Sequence, residues 1–287
     1  MYLFSDESGH ISAVPPRVSF LDHGFLFGDS IYEVVRLYDR KIFGEADHWQ
    51  RLALSAERLQ IPVQNFQQEI QNRIRALFRS FGEANACLRL IITRGEGPLH
   101  IDSRPCSNPR IFMAVWKYED KMRPASIDVL IPSIQRNSRF STDPAIKSGN
   151  YLNSVLAFRE AVDQGFDDAL MLNSEGCVTE FTTSNVGWIC GDTVFTPSTN
   201  CGILHGVTRK HFMKAISVQE GEFNLEDLMK ADEAFALSTL KELVPIRRLK
   251  TFKGRQREWN SFTRCEELHD KLKRSINAEL ETQEQIF

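Results

Sequence analysis

One lysine stands at the entrance to a segment with the periodicity of an amphipathic helix. Residues 146–161 read IKSGNYLNSVLAFREA, in which a polar turn separates Lys147 from the first apolar residues. The apolar residues at helical spacing, which we expect to pack on a core, are Leu152, Val155, Leu156 and Phe158. An amine in this position is either a solvated surface charge, as most lysines are, or a nucleophile toward a carbonyl carbon. The choice depends on the rest of the chain.

A second stretch, residues 22–36 (DHGFLFGDSIYEVVR), is a turn rich in glycine and aspartate that leads into a predicted strand. Side chains alternate between the two faces of a strand, so Tyr32, Val34 and Arg36 share one face. A phenol and a guanidinium on a common face suit the binding of a carboxylate. By itself, the stretch is also an ordinary entry into a strand.

Two further stretches carry charged residues. In residues 48–52 (HWQRL), His48 and Arg51 are three positions apart and share a helix face. In residues 176–189 (GCVTEFTTSNVGWI), Glu180 is followed by a run of hydroxyl side chains. Taken singly, Arg51 is a surface charge and Glu180 a solvated loop carboxylate.

The fifth stretch pairs residues 202–212 (GILHGVTRKHF) with residues 237–246 (LSTLKELVPI). Glycine and threonine lie where a helix is predicted to begin. Val207 and Thr208 could therefore offer backbone amides and a hydroxyl to an anion, because the first N–H groups of a helix lack partners within it.

Together these five stretches resemble one known family in their order and spacing. The chain is similar to the class IV, or fold type IV, aminotransferases, which use pyridoxal 5'-phosphate, and the resemblance runs from about residue 2 to about residue 275. The family includes branched-chain aminotransferases, D-amino-acid aminotransferases and 4-amino-4-deoxychorismate lyases. The resemblance implies an α/β (α+β) fold with a smaller N-terminal α/β domain and a larger C-terminal domain around a barrel-like sheet. It also implies a homodimer.

The resemblance further implies roles for individual residues. Lys147 matches the lysine that bonds covalently to the cofactor aldehyde and later moves a proton as a general base. Glu180 matches the carboxylate that pairs with the pyridine nitrogen, and Arg51 matches the arginine that binds the phosphate. The other implied cofactor contacts are Tyr151, Val207, Thr208 and Thr239.

The substrate contacts follow from the same comparison. Tyr32 matches a tyrosine that helps to hold the substrate carboxylate in D-amino-acid enzymes. Arg36 and Arg89 lie near the positions of arginines that meet the second carboxylate of glutamate or 2-oxoglutarate in branched-chain enzymes. For Arg89 the alternative is an outward strand residue beside a carboxylate. D-amino-acid enzymes also use an arginine and a histidine after TRG, where this chain has Leu99 at the arginine position and His100 one position early.

We therefore predict an aminotransferase that moves an amino group between a small amino acid, either a branched-chain L-amino acid or a D-amino acid, and a 2-oxo acid such as 2-oxoglutarate. The alternative within the family is a 4-amino-4-deoxychorismate lyase that releases pyruvate and 4-aminobenzoate, since it needs the same lysine, glutamate and phosphate contacts. The alternative outside it is a non-catalytic cofactor carrier or interaction protein that retains the fold, against which the presence of Lys147, Glu180 and Arg51 argues.

Composition argues against several other classes of protein. With 42% hydrophobic and 25% charged residues, the chain resembles soluble globular proteins. A net charge of −3 and a pI near 6.2 predict no nucleic-acid-binding surface. Apolar runs such as residues 112–116 (FMAVW) are too short to cross a membrane, and no signal-peptide pattern begins the chain, so we expect a cytoplasmic protein. The cysteines and histidines show no metal-binding spacing, so no metal site is expected.

Hydrophobic periodicity divides the chain into two parts. As far as Tyr118 the patterns predict strands over 30–39, 87–95 and 110–118 and helices over 48–60 and 65–81. The charged segment EDKMRPAS that follows has no periodicity. A last amphipathic helix is predicted near residues 261–274, before a polar tail that we expect to fray. The predicted organisation is an N-terminal α/β domain over 1–118, an interdomain linker over 119–126 and a C-terminal cofactor-binding domain over 127–287.

Overall fold

A computed structural model describes residues 2–106 and 108–287, which divide into two compact units. The first unit comprises the residues up to Glu119 together with Ile146–Asn150 and Glu279–Phe287, and the second comprises Asp120–Ala145 and Tyr151–Ala278. The first boundary falls at the start of the segment interpreted as a linker. Unlike the contiguous division predicted from the sequence, the compact units assign Lys147 and the C-terminal residues to the first unit.

The first unit is an antiparallel sheet with helices on one face. Its strands are β1 (Tyr2–Ser5), β2 (Ile11–Ser12), β3 (Ser30–Tyr38), β4 (Lys41–Ile42), β5 (Ala86–Thr93) and β6 (Arg110–Lys117). Its helices are α1 (His23–Phe27), α2 (Glu45–Leu59), the 3₁₀ helix Val63–Phe66 and α3 (Gln67–Phe81). The strand order is β2-β1-β6-β5-β3-β4. The predicted strands over β3, β5 and β6 and the predicted helices over α2 and α3 are confirmed.

The core of the first unit lies between this sheet and the helices α2 and α3. Alternate residues of β3, including Ile31, Val35 and Leu37, are buried against apolar residues of both helices, such as Leu52 and Leu77. Because side chains alternate along a strand, Tyr32, Val34 and Arg36 point to the opposite face of the sheet. The face that the helices cover and the face that carries the predicted substrate residues are therefore different.

The second unit is built on a barrel. Its strands are β7 (Ile127–Ile131), β8 (Asp168–Leu172), β9 (Val178–Phe181), β10 (Asn185–Cys190), β11 (Thr193–Pro197), β12 (Val218–Gly221), β13 (Glu233–Ser238), β14 (Glu242–Thr251) and β15 (Gln256–Glu258). Its helical segments are the 3₁₀ helices Asp120–Met122 and Thr199–Cys201 and the helices α4 (Leu152–Asp163), α5 (Val207–Ala215), α6 (Leu225–Met229) and α7 (Thr263–Glu281), which ends in the first unit.

Pairing between β9 and β10, at Glu180 and Asn185, closes the sheet of the second unit on itself. The closed path runs β10-β13-β14-β7-β8-β9 and returns to β10, with β7 parallel to both β8 and β14. Closure removes the free edges of these strands, and their inward side chains form an apolar core that includes Val129, Phe181 and Trp188. The prediction of an α/β fold with a barrel-like sheet is confirmed.

Helix α4 begins where the sequence predicts, but its large apolar side chains do not pack on the core of its own unit. Leu152, Val155, Leu156 and Phe158 are 40–68% exposed. The helix contacts β7 and β8 instead through small residues, with Ser154, Ala157 and Ala161 buried. The expected packing of the large residues is therefore wrong, because the small residues allow close approach to the sheet and turn the large ones outward.

Helix α7 continues to Glu281, beyond the predicted end near residue 274. The tail after it is tied down: the Ile286 N–H donates to the Arg40 carbonyl at 2.9 Å, and Ile286 and Phe287 pack against the core of the first unit. The prediction of a fraying tail is wrong, because its last two residues are apolar. None of the helices in the described ranges combines the length and hydropathy that a membrane span requires.

Candidate active site

The backbone around Lys147 is fixed to β3 and α2. The Lys147 N–H donates to Ser55 Oγ at 3.1 Å, and the Lys147 carbonyl accepts from the Tyr32 N–H at 3.0 Å. The Gly149 N–H donates to the Ser30 carbonyl at 2.7 Å, and a Cβ on Gly149 would lie 2.1 Å from Ser30 Oγ. Only glycine permits this approach without displacing Ser30. The half-buried side chain of Lys147 therefore extends from a well-held point of the chain.

The ring of Tyr32 contacts two cations. Lys147 Nζ and Arg89 Cζ each lie 4.3 Å from its centroid. In the register of the sheet Val34 is opposite Arg89, so Arg89 lies on the same face as Tyr32. Cation–π contacts of this kind favour positive charge near the ring. The structure thus brings three predicted residues, Tyr32, Arg89 and Lys147, into one cluster within the first unit.

Arg36 lies further along the same face of β3 and is only 8% exposed. Its Cζ is 3.5 Å from the ring centroid of Tyr118 and 4.0 Å from that of Tyr38. These contacts hold the guanidinium plane, which keeps a planar set of donors in a fixed direction. Cys87 is opposite Arg36 in the register of the sheet, and burial raises the pKa of its thiol to about 12, so this thiol is neutral near pH 7.

Arg51 is buried and bonded to a carboxylate that the sequence interpretation did not include. Its Nε and Nη2 donate to Oε1 and Oε2 of Glu33, each at 2.7 Å, and His48 Nδ1 lies 2.8 Å from Glu33 Oε2. Burial acts to raise the pKa of Glu33, but the charge and hydrogen bonds of Arg51 and His48 outweigh it and hold that pKa well below its ordinary value. Burial lowers the pKa of His48 despite the neighbouring carboxylate, which favours a neutral ring. The interpretation of Arg51 as a surface charge is wrong.

A signal for Glu33 exists in the sequence. Along β3 it alternates with Tyr32 and Val34 and so shares the face of Ile31 and Val35, which faces the core. A carboxylate on a core face requires a charged or hydrogen-bonding partner. His48 and Arg51, three apart on the next helix, are the pair that meets this requirement.

Glu180 lies in β9 of the second unit and accepts hydrogen bonds from three donors. Arg136 Nη2 donates to its Oε1 at 2.6 Å, while Asn185 Nδ2 and the Leu204 N–H donate to its Oε2 at 3.0 and 3.1 Å. The carboxylate is buried and its orientation is fixed by these bonds. The interpretation of Glu180 as a solvated carboxylate is wrong. Arg136 was not identified from the sequence, because it lies in a loop 44 positions before Glu180 with no pattern connecting the two.

Val207 and Thr208 begin helix α5, as predicted. The N-cap residue, Gly206, provides no side-chain cap, and a Cβ there would lie 1.8 Å from Asn185 Oδ1. Within residues 2–106 and 108–287, the buried Thr208 Oγ1 has no hydrogen-bond partner. An uncapped helix N-terminus with a buried hydroxyl lacking a partner fits the binding of an anionic group such as a phosphate.

The two remaining predicted cofactor contacts, Tyr151 and Thr239, lie at the start of a helix and in a turn between two strands. Tyr151 is the N-cap residue of α4, and its carbonyl accepts from the Val155 N–H at 2.9 Å. Thr239 lies in the turn between β13 and β14, close after Leu237, which pairs with Asn185. The backbone of this turn is held by the Lys241 N–H, which donates to Ser238 Oγ at 3.2 Å.

Comparison with known proteins decides the family. A family model described as amino-transferase class IV matches residues 30–249, which include all of the sequence-predicted site residues. The chain belongs to the class IV aminotransferase family. It is therefore an enzyme of a family that depends on pyridoxal phosphate.

Relatives within the class IV family differ in activity. A Methanocaldococcus jannaschii protein with a proposed branched-chain-amino-acid aminotransferase activity is 35% identical over 235 residues, covering 80% of this chain and 82% of the relative. An aminodeoxychorismate lyase from Bacillus subtilis is 30% identical over 239 residues, or 81% of each chain. A D-alanine aminotransferase from Staphylococcus epidermidis is also 30% identical over 239 residues, covering 81% of this chain and 84% of the relative.

Among solved structures, a T.th. branched-chain aminotransferase complexed with N-(5'-phosphopyridoxyl)-L-glutamate matches with a TM-score of 0.85 and 23% identity. The match covers 96% of this chain and 94% of that one. It shows that this class IV protein has the same fold.

Proposed function

We propose that the protein is a pyridoxal-phosphate-dependent aminotransferase that moves an amino group between a small amino acid and a 2-oxo acid such as 2-oxoglutarate. The observation that carries the proposal is the cluster on the face of the first sheet that α2 and α3 do not cover. There the Lys147 amine and the Arg89 guanidinium lie at equal distances from the Tyr32 ring, and Arg36 lies further along β3 on the same face. A primary amine and two guanidiniums on one face of a sheet suit a reaction on a substrate that carries carboxylates.

The chain supplies residues that fit the cofactor. Lys147 would hold it covalently and Arg51 would contact its phosphate. Glu180 would pair with the ring nitrogen, Tyr151 would contact the phenolic oxygen, and the remaining phosphate contacts would be Val207, Thr208 and Thr239. The buried Thr208 hydroxyl and the uncapped start of α5 support the phosphate contacts. When bound, pyridoxal phosphate supplies an electron sink that stabilises a carbanion at the substrate Cα.

Lys147 is suited to the proton transfer that this reaction needs. Its backbone is held on one side by Ser55 and on the other by Tyr32, so that only the side-chain torsions vary. A general base must lie within hydrogen-bond reach of the proton that it takes, and a fixed backbone reduces the entropy lost in reaching that geometry. Tyr32 contributes an aromatic ring that the amine contacts. It also contributes a phenol on the same face of the sheet as Arg36 and Arg89.

Arg36 and Arg89 are the proposed carboxylate contacts. Arg36 is buried between two rings, which favours a fixed, bidentate contact, whereas Arg89 is exposed to solvent. The glutamate adduct in the T.th. enzyme supports a dicarboxylate substrate. The proposed activity of the M. jannaschii relative supports a branched-chain amino acid as the other substrate. The position of Leu99 in the loop after β5 leaves a D-specific arginine out of this site.

A panel of L- and D-amino acids with 2-oxoglutarate tests the substrate class. We expect the purified holoenzyme to convert its cofactor from the aldehyde to the amine form with at least one amino acid, and 2-oxoglutarate to reverse the change, both followed by absorbance. A lyase assay on 4-amino-4-deoxychorismate runs in parallel. Pyruvate release in that assay, with no amino acid of either hand changing the absorbance, would contradict the proposal and favour the lyase.

We also propose that the enzyme is a homodimer, with the outward side of α4 against the second copy. Leu152, Val155, Leu156 and Phe158 form a row of exposed apolar side chains on this helix, which is unusual for a surface in contact with water. Light scattering is expected to give about twice the chain mass of 32.9 kDa. Leu156→Asp should shift the protein toward monomer, whereas Lys273→Ala on the exposed side of α7 should not. A monomer in the unaltered protein at micromolar concentration would exclude the dimer.

A further inference from the structure

We propose that Glu33 and His48 are positioning residues that set the orientation of Arg51 for a phosphate group. The inference rests on the proposed function, in which Arg51 contacts the cofactor phosphate. It adds that the direction of the Arg51 guanidinium is determined before any ligand arrives, by a carboxylate and an imidazole on the core side of the first sheet.

The geometry of the pair fixes a plane as well as a distance. Arg51 Nε and Nη2 bond the two oxygens of Glu33 side by side, each at 2.7 Å. A guanidinium held through two parallel bonds cannot rotate about its long axis without breaking one of them. This fork therefore uses one edge of the guanidinium and directs Nη1 away from Glu33.

The charges explain why the carboxylate is needed at this position. Arg51 and Glu33 are 8% and 2% exposed, so an isolated guanidinium here would be costly to desolvate. Glu33 balances that charge in the absence of a ligand.

His48 supports Glu33 from the other side. Its Nδ1 lies 2.8 Å from Glu33 Oε2, and because a carboxylate can only accept, Nδ1 carries the hydrogen. In the described part of the chain its buried Nε2 has no hydrogen-bond partner. The ring lines a cavity of about 40 Å³ together with apolar residues, such as Leu52 and Ile74, and the polar residues Glu45 and Gln71. The orientation of the imidazole is therefore set by its bond to Glu33.

Apoprotein titrated with pyridoxal 5'-phosphate and, separately, with pyridoxal tests the inference, because the two probes differ only in the phosphate. For Glu33→Gln we expect affinity for pyridoxal 5'-phosphate to fall about tenfold to a hundredfold while affinity for pyridoxal stays unchanged. His48→Gln should act in the same direction with a smaller effect. Glu45→Gln is the matched control, since Glu45 lines the same cavity and is half-exposed but pairs with Arg75 at 3.9 Å.

Arg51→Ala separates the inference from the proposed function. If Arg51→Ala and Glu33→Gln both lose the preference for the phosphorylated probe, the inference holds. If only Arg51→Ala loses it, the positioning role is wrong and the phosphate role of Arg51 stands. If Arg51→Ala keeps the preference, the proposed phosphate contact fails, and the inference fails with it.

An equal fall in the affinity for both probes, in a variant whose urea midpoint shows that it is folded, would overturn the inference. Glu33→Asp provides a second variant in case Glu33→Gln does not fold. It keeps the charge that balances Arg51 but shortens the side chain by one methylene, so the fork is strained. The same selective loss of affinity for the phosphorylated probe is expected, with urea unfolding as the measure of stability.

Discussion

Lys147→Ala is expected to abolish covalent attachment of pyridoxal 5'-phosphate and to lower turnover by about a thousandfold, since general acid–base catalysis contributes about 10² to 10⁴. The lysine backbone is held by Ser55 and Tyr32 and its amine rests on the Tyr32 ring, so the amine is presented from one defined point of the chain. Borohydride reduction followed by peptide mapping is the measurement. The modified peptide should contain residue 147 in the unaltered protein and should be absent from the variant.

Lys147→Arg is the matched control for this experiment. It keeps a cation near Tyr32 but offers no primary amine, so the fold should survive while covalent attachment is lost. Equal urea midpoints for the two variants would show that the loss of covalent attachment comes from the missing amine and not from unfolding. A modified peptide containing any other lysine would contradict the assignment of Lys147.

Arg36→Ala is expected to impair turnover far more than cofactor binding. Removing a buried guanidinium from a carboxylate should cost about 2 to 5 kcal/mol where the partner is left desolvated. The relevant measurements are kcat/KM for the 2-oxo acid and the dissociation constant of the cofactor. The stacking of Arg36 between Tyr38 and Tyr118 predicts that Arg36→Lys recovers little activity, because a lysine has no planar group to stack.

Arg89→Ala is the comparison variant for Arg36. Arg89 is exposed, so its loss should have a smaller effect on kcat/KM even if it meets a carboxylate. A fall in cofactor affinity as large as the fall in kcat/KM would contradict the substrate role of Arg36. So would an unchanged kcat/KM in Arg36→Ala.

Local patterns were enough to predict much of the fold and part of the site. Alternation along β3 correctly assigned Tyr32 and Arg36 to one face, and helical periodicity correctly predicted α2, α3 and the start of α4. Both signals depend on near neighbours in the chain. The same alternation contained the information on Glu33, which was identified only when its partners on α2 were seen.

Long-range relations could not be predicted in this way. The pairing of Arg136 with Glu180 depends on the position of the loop after β7 relative to β9. Periodicity within a segment contains no information on that position. Helical periodicity finds the apolar side of α4 but does not say whether the same chain covers it. Strand β14 is hard to predict because it contains Pro245, which has no backbone N–H to donate to a neighbouring strand. In the barrel Pro245 nevertheless pairs in register with Phe235 of β13.

The assignment of Ile146–Asn150 and Glu279–Phe287 to the first unit has a consequence for the order of folding during synthesis. A nascent chain that ends at Glu119 has the strands and helices of that unit, but it lacks the segment that bonds Ser30 and Tyr32 and the apolar tail that packs on the core. The edge of β3 near Ser30 stays unpaired until the ribosome has passed Asn150, and the core is completed only by Ile286 and Phe287. The first unit to be translated is thus among the last parts of the protein to complete its folding. A protein truncated after Ala278 should therefore refold slowly and aggregate readily.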